Sequence, residues 1–164
     1  MEVFMSKGGA QPKLPQSGTF SANPMTMTAG HSTMSHFDAE AVHRLNRLGR
    51  MARLRVREAI AKSDVPACVT GAGSLFRIHL RSEAPKDYRS SFPTPLEKEA
   101  ITLFVNGLYD EGIILIHTGT GTLSTPMGEA EIDRLGEAVL ASVRNVKKRL
   151  PEWTAAPVPA TSEL

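Results

Sequence analysis

The sequence predicts an α+β fold, a small mixed or antiparallel sheet with helices on one face. Three observations carry that expectation. Apolar residues recur at helical spacing in three long stretches, 42–59, 100–108 and 132–146. Short apolar runs bounded by glycine lie between them. In one of these Phe76, Ile78 and Leu80 alternate with Arg77, His79 and Arg81, the period of a strand with one buried face. The resulting order is helix, strand, strand, helix, strand, strand, helix. At 164 residues the chain holds one ordinary domain, or one small domain plus a piece of another.

Met1 to Met5 reads as the end of an amphipathic helix, and Ser6 to Pro15 as loop. Asn23 caps a short helix with Pro24 at its first position, where a missing amide costs nothing, and the helix runs to about Ser35. Asp38 caps the longest helix, ending near Lys62. Its buried stripe is Val42, Leu45, Leu48, Ala52, Val56 and Ala59, with Arg44, Arg47, Arg50, Arg53 and Arg57 on neighbouring faces. Pro66 forbids continuation.

Two strands follow, Ala67 to Thr70 and Leu75 to Leu80, with Gly71-Ala-Gly73 as a hairpin turn. Ser82 to Thr94 is a polar loop. The next helix spans Pro95 to Glu111 on a stripe of Ala100, Leu103, Phe104, Gly107 and Leu108, and Gly112 ends it in a left-handed conformation. Ile113 to Ile116 is expected as a core strand, His117 to Gly121 as a turn, and Thr122 to Thr125 as a short strand back. Glu129 and Glu131 after Gly128 suit the start of the last helix, which turns Ile132, Leu135, Val139, Val143 and Val146 inward and stops before Pro151. The Ala- and Pro-rich remainder is expected to fray.

Nineteen Lys and Arg against seventeen Asp and Glu give a net charge of +2, which makes no electrostatic case for a nucleic-acid partner. The aliphatic run Ile113 to Ile116 is far too short to span a bilayer. A single cysteine, Cys68, excludes an internal disulfide framework and a multi-cysteine metal site, and the expected location is the reducing cytoplasm.

The stretch Gly18-Thr-Phe-Ser-Ala-Asn-Pro24 carries the most specific chemistry. Backbone amides and two hydroxyls lie in a loop running straight into a helix start. The first amides of a helix lack internal partners and its dipole is positive there, so such a turn suits an anion. The run resembles the G-T-[FLY]-[SN]-[GA]-N-P segment of the class III, fold-type I pyridoxal-phosphate aminotransferases, of the glutamate-1-semialdehyde aminomutase-like kind. Leu108 to Ile114 and Leu123 to Asp133 are also similar to that family, in segments generic to its small domain. The resemblance covers nearly the whole chain up to about Pro151.

The resemblance implies a C-terminal small domain of a fold-type I enzyme over 37–150, preceded by a loop and short helix of the cofactor-binding large domain over 1–36 and followed by a flexible tail over 151–164. It implies pyridoxal phosphate as cofactor, a homodimer, and a small-molecule amino donor with a keto acid or aldehyde acceptor. Thr19 would grip the cofactor phosphate of the neighbouring subunit, with Gly18 and Ser21 beside it. The competing readings are a loop threonine satisfying a local turn, Ser21 as a turn residue and Asn23 as a helix cap. The family's Schiff-base lysine lies in a segment upstream of anything matched here, so neither Lys7 nor Lys13 is assigned that role. The expectation is the C-terminal part of such an enzyme, without catalytic residues of its own. The alternative is a stand-alone, non-catalytic α+β module that binds a partner or a phosphorylated ligand.

Other candidates have plainer readings. His31, His36 and His43 lie within thirteen residues, but without acidic or cysteine partners at ligand spacing they read as surface or interface histidines. His79 and His117 read as strand-edge residues. The arginine-rich helix carries Asp38, Glu40 and Glu58 and no interleaved aromatics, and reads as a solvated face or a set of inter-subunit salt bridges. Thr118 to Thr122 lacks the lysine and following helix of a nucleotide loop and reads as a hairpin turn. Arg77 and Arg81 are able to meet a substrate carboxylate, with a surface role the safer reading. Cys68 reads as a small core residue.

Overall fold

A computed structural model describes residue 18 and residues 20–155. The expected helix end at Met1 to Met5, the loop after it, Thr19 and the tail beyond Ala155 lie outside the described residues. The chain divides into two compact units, the first reaching Glu40 and the second starting at Ala41.

The first unit contains helix α1, Pro24–His36. Asn23 caps it as expected, its side-chain oxygen accepting the Met25 amide at 3.0 Å. None of its side chains is buried.

The second unit is the α+β layer that the sequence predicts. Helix α2, Ala39–Ser63, leads into strands β1, Cys68–Thr70, and β2, Leu75–His79. They form an antiparallel hairpin with Val69 opposite Ile78. Helix α3, Pro95–Asp110, then crosses to strand β3, Thr120–Thr122, which pairs antiparallel with the other edge of β2, Phe76 opposite Gly121. Helix α4, Glu129–Arg149, and the short helix α5, Pro151–Ala155, complete the chain as described. Leu48, Ala52 and Val56 of α2, Phe104 and Leu108 of α3, and Val139 and Val143 of α4 bury with Phe76 and Ile78 in one core. Each large apolar side chain so buried contributes about 1.5–3 kcal/mol.

Helix α3 starts on a capping box. The Thr94 hydroxyl accepts the Glu97 amide at 3.2 Å and the Glu97 carboxylate accepts the Thr94 amide at 2.7 Å. Its end is Gly112 at φ +77°, the left-handed conformation expected there.

Five expectations require correction. Ile113 to Ile116 forms no strand. It lies beside β3 but meets it at one hydrogen bond in the turn, the Ile116 amide donating to the Thr120 carbonyl at 3.2 Å, and no ladder follows. Ile113 and Leu115 pack inward, while Ile114 is 80% and Ile116 57% exposed. The strand expected at Thr122 to Thr125 begins two residues earlier, because Gly119 and Gly121 bring the backbone close against β2. Val42 is 37% exposed, since the buried stripe of α2 starts at Leu45. Pro151 to Ala155 does not fray: Trp153 is 2% exposed and its indole nitrogen donates to the Leu80 carbonyl at 3.0 Å. A proline at the first position starts this helix as readily as it stops the preceding one.

The fifth concerns α2, where several arginines clamp backbone of their own chain. Arg44 donates to the carbonyls of Thr125 at 2.5 Å and Met127 at 2.6 Å, and Arg53 to those of Gly73 and Leu75. Arg55 pairs with Asp133 at 2.7 Å. Arg47, Arg50 and Arg57 are exposed as a solvated face requires.

Candidate functional site

The turn before α1 brings Gly18 and Ser21 together. The Ser21 amide donates to the Gly18 carbonyl at 3.0 Å, and the Asn23 amide to the Phe20 carbonyl at 3.3 Å. Ala22 takes φ 57°, which bends the chain into the helix. A Cβ at Gly18 would stand 2.8 Å from the Ser21 hydroxyl oxygen, so glycine is what lets that hydroxyl close over the backbone. Gly18 and Ser21 are exposed, and the first turn of α1 carries no acidic residue. The exposed Ser21 hydroxyl lies at the positive end of a thirteen-residue helix whose first turn carries no carboxylate. Asn23 is the helix cap, as its alternative reading had it.

The second unit holds a cleft of about 220 Å³ between the end of β2, the start of α3 and the turn at His117 and Thr118. Strand alternation sends Arg77 to this side, and its Nε donates to the Thr118 carbonyl at 3.2 Å. Arg81 follows the strand and donates to the carbonyls of Ser90 and Phe92 and, at 2.5 Å, to the Glu97 carboxylate. Glu97 therefore closes the helix cap and the wall of the cleft at once. Lys98 and His117 also line it.

His79 lies against the same cleft and is only 8% exposed, which corrects its reading as a strand-edge residue. Its Nε2 lies 2.9 Å from the Thr70 hydroxyl. Burial first, then the guanidinium groups of Arg77 and Arg81, push its pKa down to about 4. The imidazole is neutral at physiological pH.

In sequence Arg77 and Arg81 have a surface reading, and nothing there relates them to Lys98 and His117. The period-two alternation of 76–81 was the signal that they share a face; it carried no information on what α3 and the 117–118 turn bring opposite them. His31, His36 and His43 are exposed, and among the described residues no group of His, Cys, Asp or Glu is arranged to hold a metal. Thr118 to Thr122 is turn and strand, as the hairpin reading required. Cys68 is half-buried, and burial pushes its thiol pKa up, so it is a poor nucleophile. Among the described residues no helix is long and apolar enough to cross a membrane.

No family model matches the chain. Individual proteins do. It is 30% identical over 100 residues to a glutamate-1-semialdehyde 2,1-aminomutase of Tropheryma whipplei (strain Twist), an alignment spanning 61% of this chain and 21% of that protein. Its fold matches an omega-transaminase from Sphaerobacter thermophilus with a TM-score of 0.77 and 35% identity, over 88% of this chain and 33% of that one. A transaminase with pyridoxal phosphate bound matches with a TM-score of 0.72 and 33% identity, over 92% of this chain and 34% of that one. The chain thus spans about a fifth to a third of the length of these relatives. The resemblance to class III aminotransferases is borne out in sequence and in fold, and a stand-alone interaction module is not favoured.

Proposed function

We propose that this chain supplies the small domain and a cofactor-phosphate loop of a pyridoxal-phosphate-dependent class III aminotransferase or aminomutase. The observation that carries the reading is the 35% identity to an omega-transaminase at a TM-score of 0.77, sustained over 88% of the chain. Pyridoxal phosphate, when bound, supplies the electron sink that lets an amino group move between carbon skeletons. Gly18, Thr19 and Ser21 hold its phosphate, with Thr19 reaching across a homodimer seam into the neighbouring subunit's pocket. The uncharged first turn of α1 supports that role, because it leaves the helix's positive potential unopposed there. No lysine of this chain is assigned the covalent role. The substrates are an amino acid or amine as donor and a keto acid or aldehyde as acceptor.

The test is a chimera in which residues 18–155 replace the matching third of the Sphaerobacter thermophilus omega-transaminase. The expected product is a folded dimer that retains pyridoxal phosphate through gel filtration and loses about tenfold in cofactor affinity on Thr19→Ala, the weight of one charge-assisted hydrogen bond. A folded chimera indifferent to that substitution sinks the loop assignment. The chain by itself, incubated with cofactor and reduced with borohydride, is expected to carry no specific pyridoxyl-lysine. One uniquely labelled lysine overturns the assignment of the covalent role elsewhere.

A further inference from the structure

The cleft at the end of β2 carries an excess of positive charge. Its lining carries three permanent cations, Arg77, Arg81 and Lys98, against a single carboxylate, Glu97. Glu97 is already committed, to the Thr94 amide and to Arg81. Arg81 is committed as well, to two backbone carbonyls in addition to Glu97. The remaining donors are not. Arg77 uses only its Nε within the protein, on the Thr118 carbonyl, a bond that fixes the plane of the guanidinium and leaves both terminal nitrogens without an acceptor among the described residues. The Lys98 ammonium and the His117 ring likewise meet no acceptor among the described residues, although both line the cleft.

We propose that this cleft is a binding site for a small oxyanion, a carboxylate or phosphate group of a metabolite, received by the terminal nitrogens of Arg77 and the ammonium of Lys98, with His117 at the rim. A guanidinium with two parallel free donors matches two oxygens of either group, and the ammonium adds a point charge without demanding a fixed geometry. The Thr118 carbonyl and the Arg81–Glu97 pair hold the walls before the ligand arrives, so little side-chain entropy remains to be lost on binding. The volume of about 220 Å³ exceeds what a bare oxyanion fills and leaves space for a short carbon chain against Ile101. His79 provides a second line of support, since the two guanidinium groups that disfavour its protonation are the field an anion would neutralise. Every residue of the site belongs to the second unit. The proposal does not depend on the aminotransferase reading or on the turn at Gly18.

The experiment is an NMR titration of the full chain with sodium phosphate in one arm and glutarate in the other, sodium chloride holding ionic strength constant. The readouts are the ring resonances of His117 and His79 and the side-chain resonances of Arg77. Saturable shifts at these groups in either arm support the site, and the arm that saturates at lower concentration identifies the favoured anion. Saturation should be accompanied by a rise in the His79 pKa. Lys98→Gln, on an exposed position of α3, should weaken the saturating anion about tenfold, the worth of one charge-assisted contact, and should leave the unfolding midpoint unchanged. Shifts that stay linear in both arms, or an affinity that Lys98→Gln leaves intact, overturn the proposal.

Discussion

His79 offers a sharp physical test of the second unit, because one neutral side chain controls how that unit responds to acid. Its pKa is about 4 in the folded chain, against about 6.5 in an unfolded one. Between those two values the unfolded state binds a proton that the folded state refuses. Stability from this residue is therefore complete above about pH 6.5, falls as the pH drops toward about 4, and loses nothing further below that. The gap, at about 1.4 kcal/mol per pH unit, comes to about 3 kcal/mol. The carboxylates of Asp87 and Glu131, which backbone amides hold below the usual carboxylate range, begin to weaken the fold only near the acid end of this interval, so most of the window belongs to the histidine. Urea unfolding followed by the fluorescence of Trp153 measures the curve. His79→Gln keeps a neutral polar group within reach of the Thr70 hydroxyl and should flatten the acid limb between about pH 6.5 and 4. Parallel curves for the two proteins across that interval would refute the reasoning.

Three further substitutions probe how the second unit is held together. Gly49→Ala would place a Cβ 1.9 Å from the Gly73 carbonyl oxygen and 3.1 Å from the Ser74 Cα. Both neighbours are backbone, so the hairpin must move away from α2; the expected loss is about 2–3 kcal/mol in urea unfolding, and a loss near zero would mean the helix and hairpin are not in close contact. Trp153→Phe removes the donor to the Leu80 carbonyl and should cost about 1–3 kcal/mol by thermal melting, with the amide signals of α5 the first to broaden. Arg44→Ala frees the carbonyls of Thr125 and Met127 and should cost about 1–2 kcal/mol. Arg44→Lys should recover less than half of that, because an ammonium cannot serve both carbonyls with the same fixed fork.

The elements that the sequence disclosed were those whose signal is local. Asn23 before Pro24, Thr94 before Pro95 and Gly112 after Glu111 each place a helix end through the hydrogen bonds or dihedrals of two or three neighbouring residues. The stripes of α2, α3 and α4 emerged because helix burial has a fixed period. The elements it misassigned depend on distant partners. Ile113 to Ile116 has the composition of a core strand, but composition does not say whether an apolar run forms a ladder, and this one reaches β3 through the Ile116 amide alone. Trp153 sits in a segment whose prolines and alanines suggest fraying. Only the Leu80 carbonyl, seventy-three residues away, shows why it is ordered. The turn from Gly18 into the Asn23 cap was legible from its local chemistry, whereas the cleft at the end of β2 was not. Arg77, Lys98 and His117 are separated by about twenty residues each, and no spacing rule relates them until α3 crosses the sheet.

Strand β2 is the reason those distant residues meet in a fixed arrangement. It is the central strand of the three, so neither edge can slip without breaking a ladder. Its inward residues Phe76 and Ile78 are locked in the core, and a one-residue slip would drive Arg77 into that core. Its far end is tied twice, by Arg81 to the carboxylate that caps α3 and by the Leu80 carbonyl to Trp153. The opposite face, carrying Arg77, is thus presented by a strand that core, cap and C-terminal helix all hold in register. A charged group on a frayed edge strand would spend much of its binding energy on being ordered. Here that ordering is already done by apolar burial elsewhere, so Arg77 keeps one orientation before any ligand arrives.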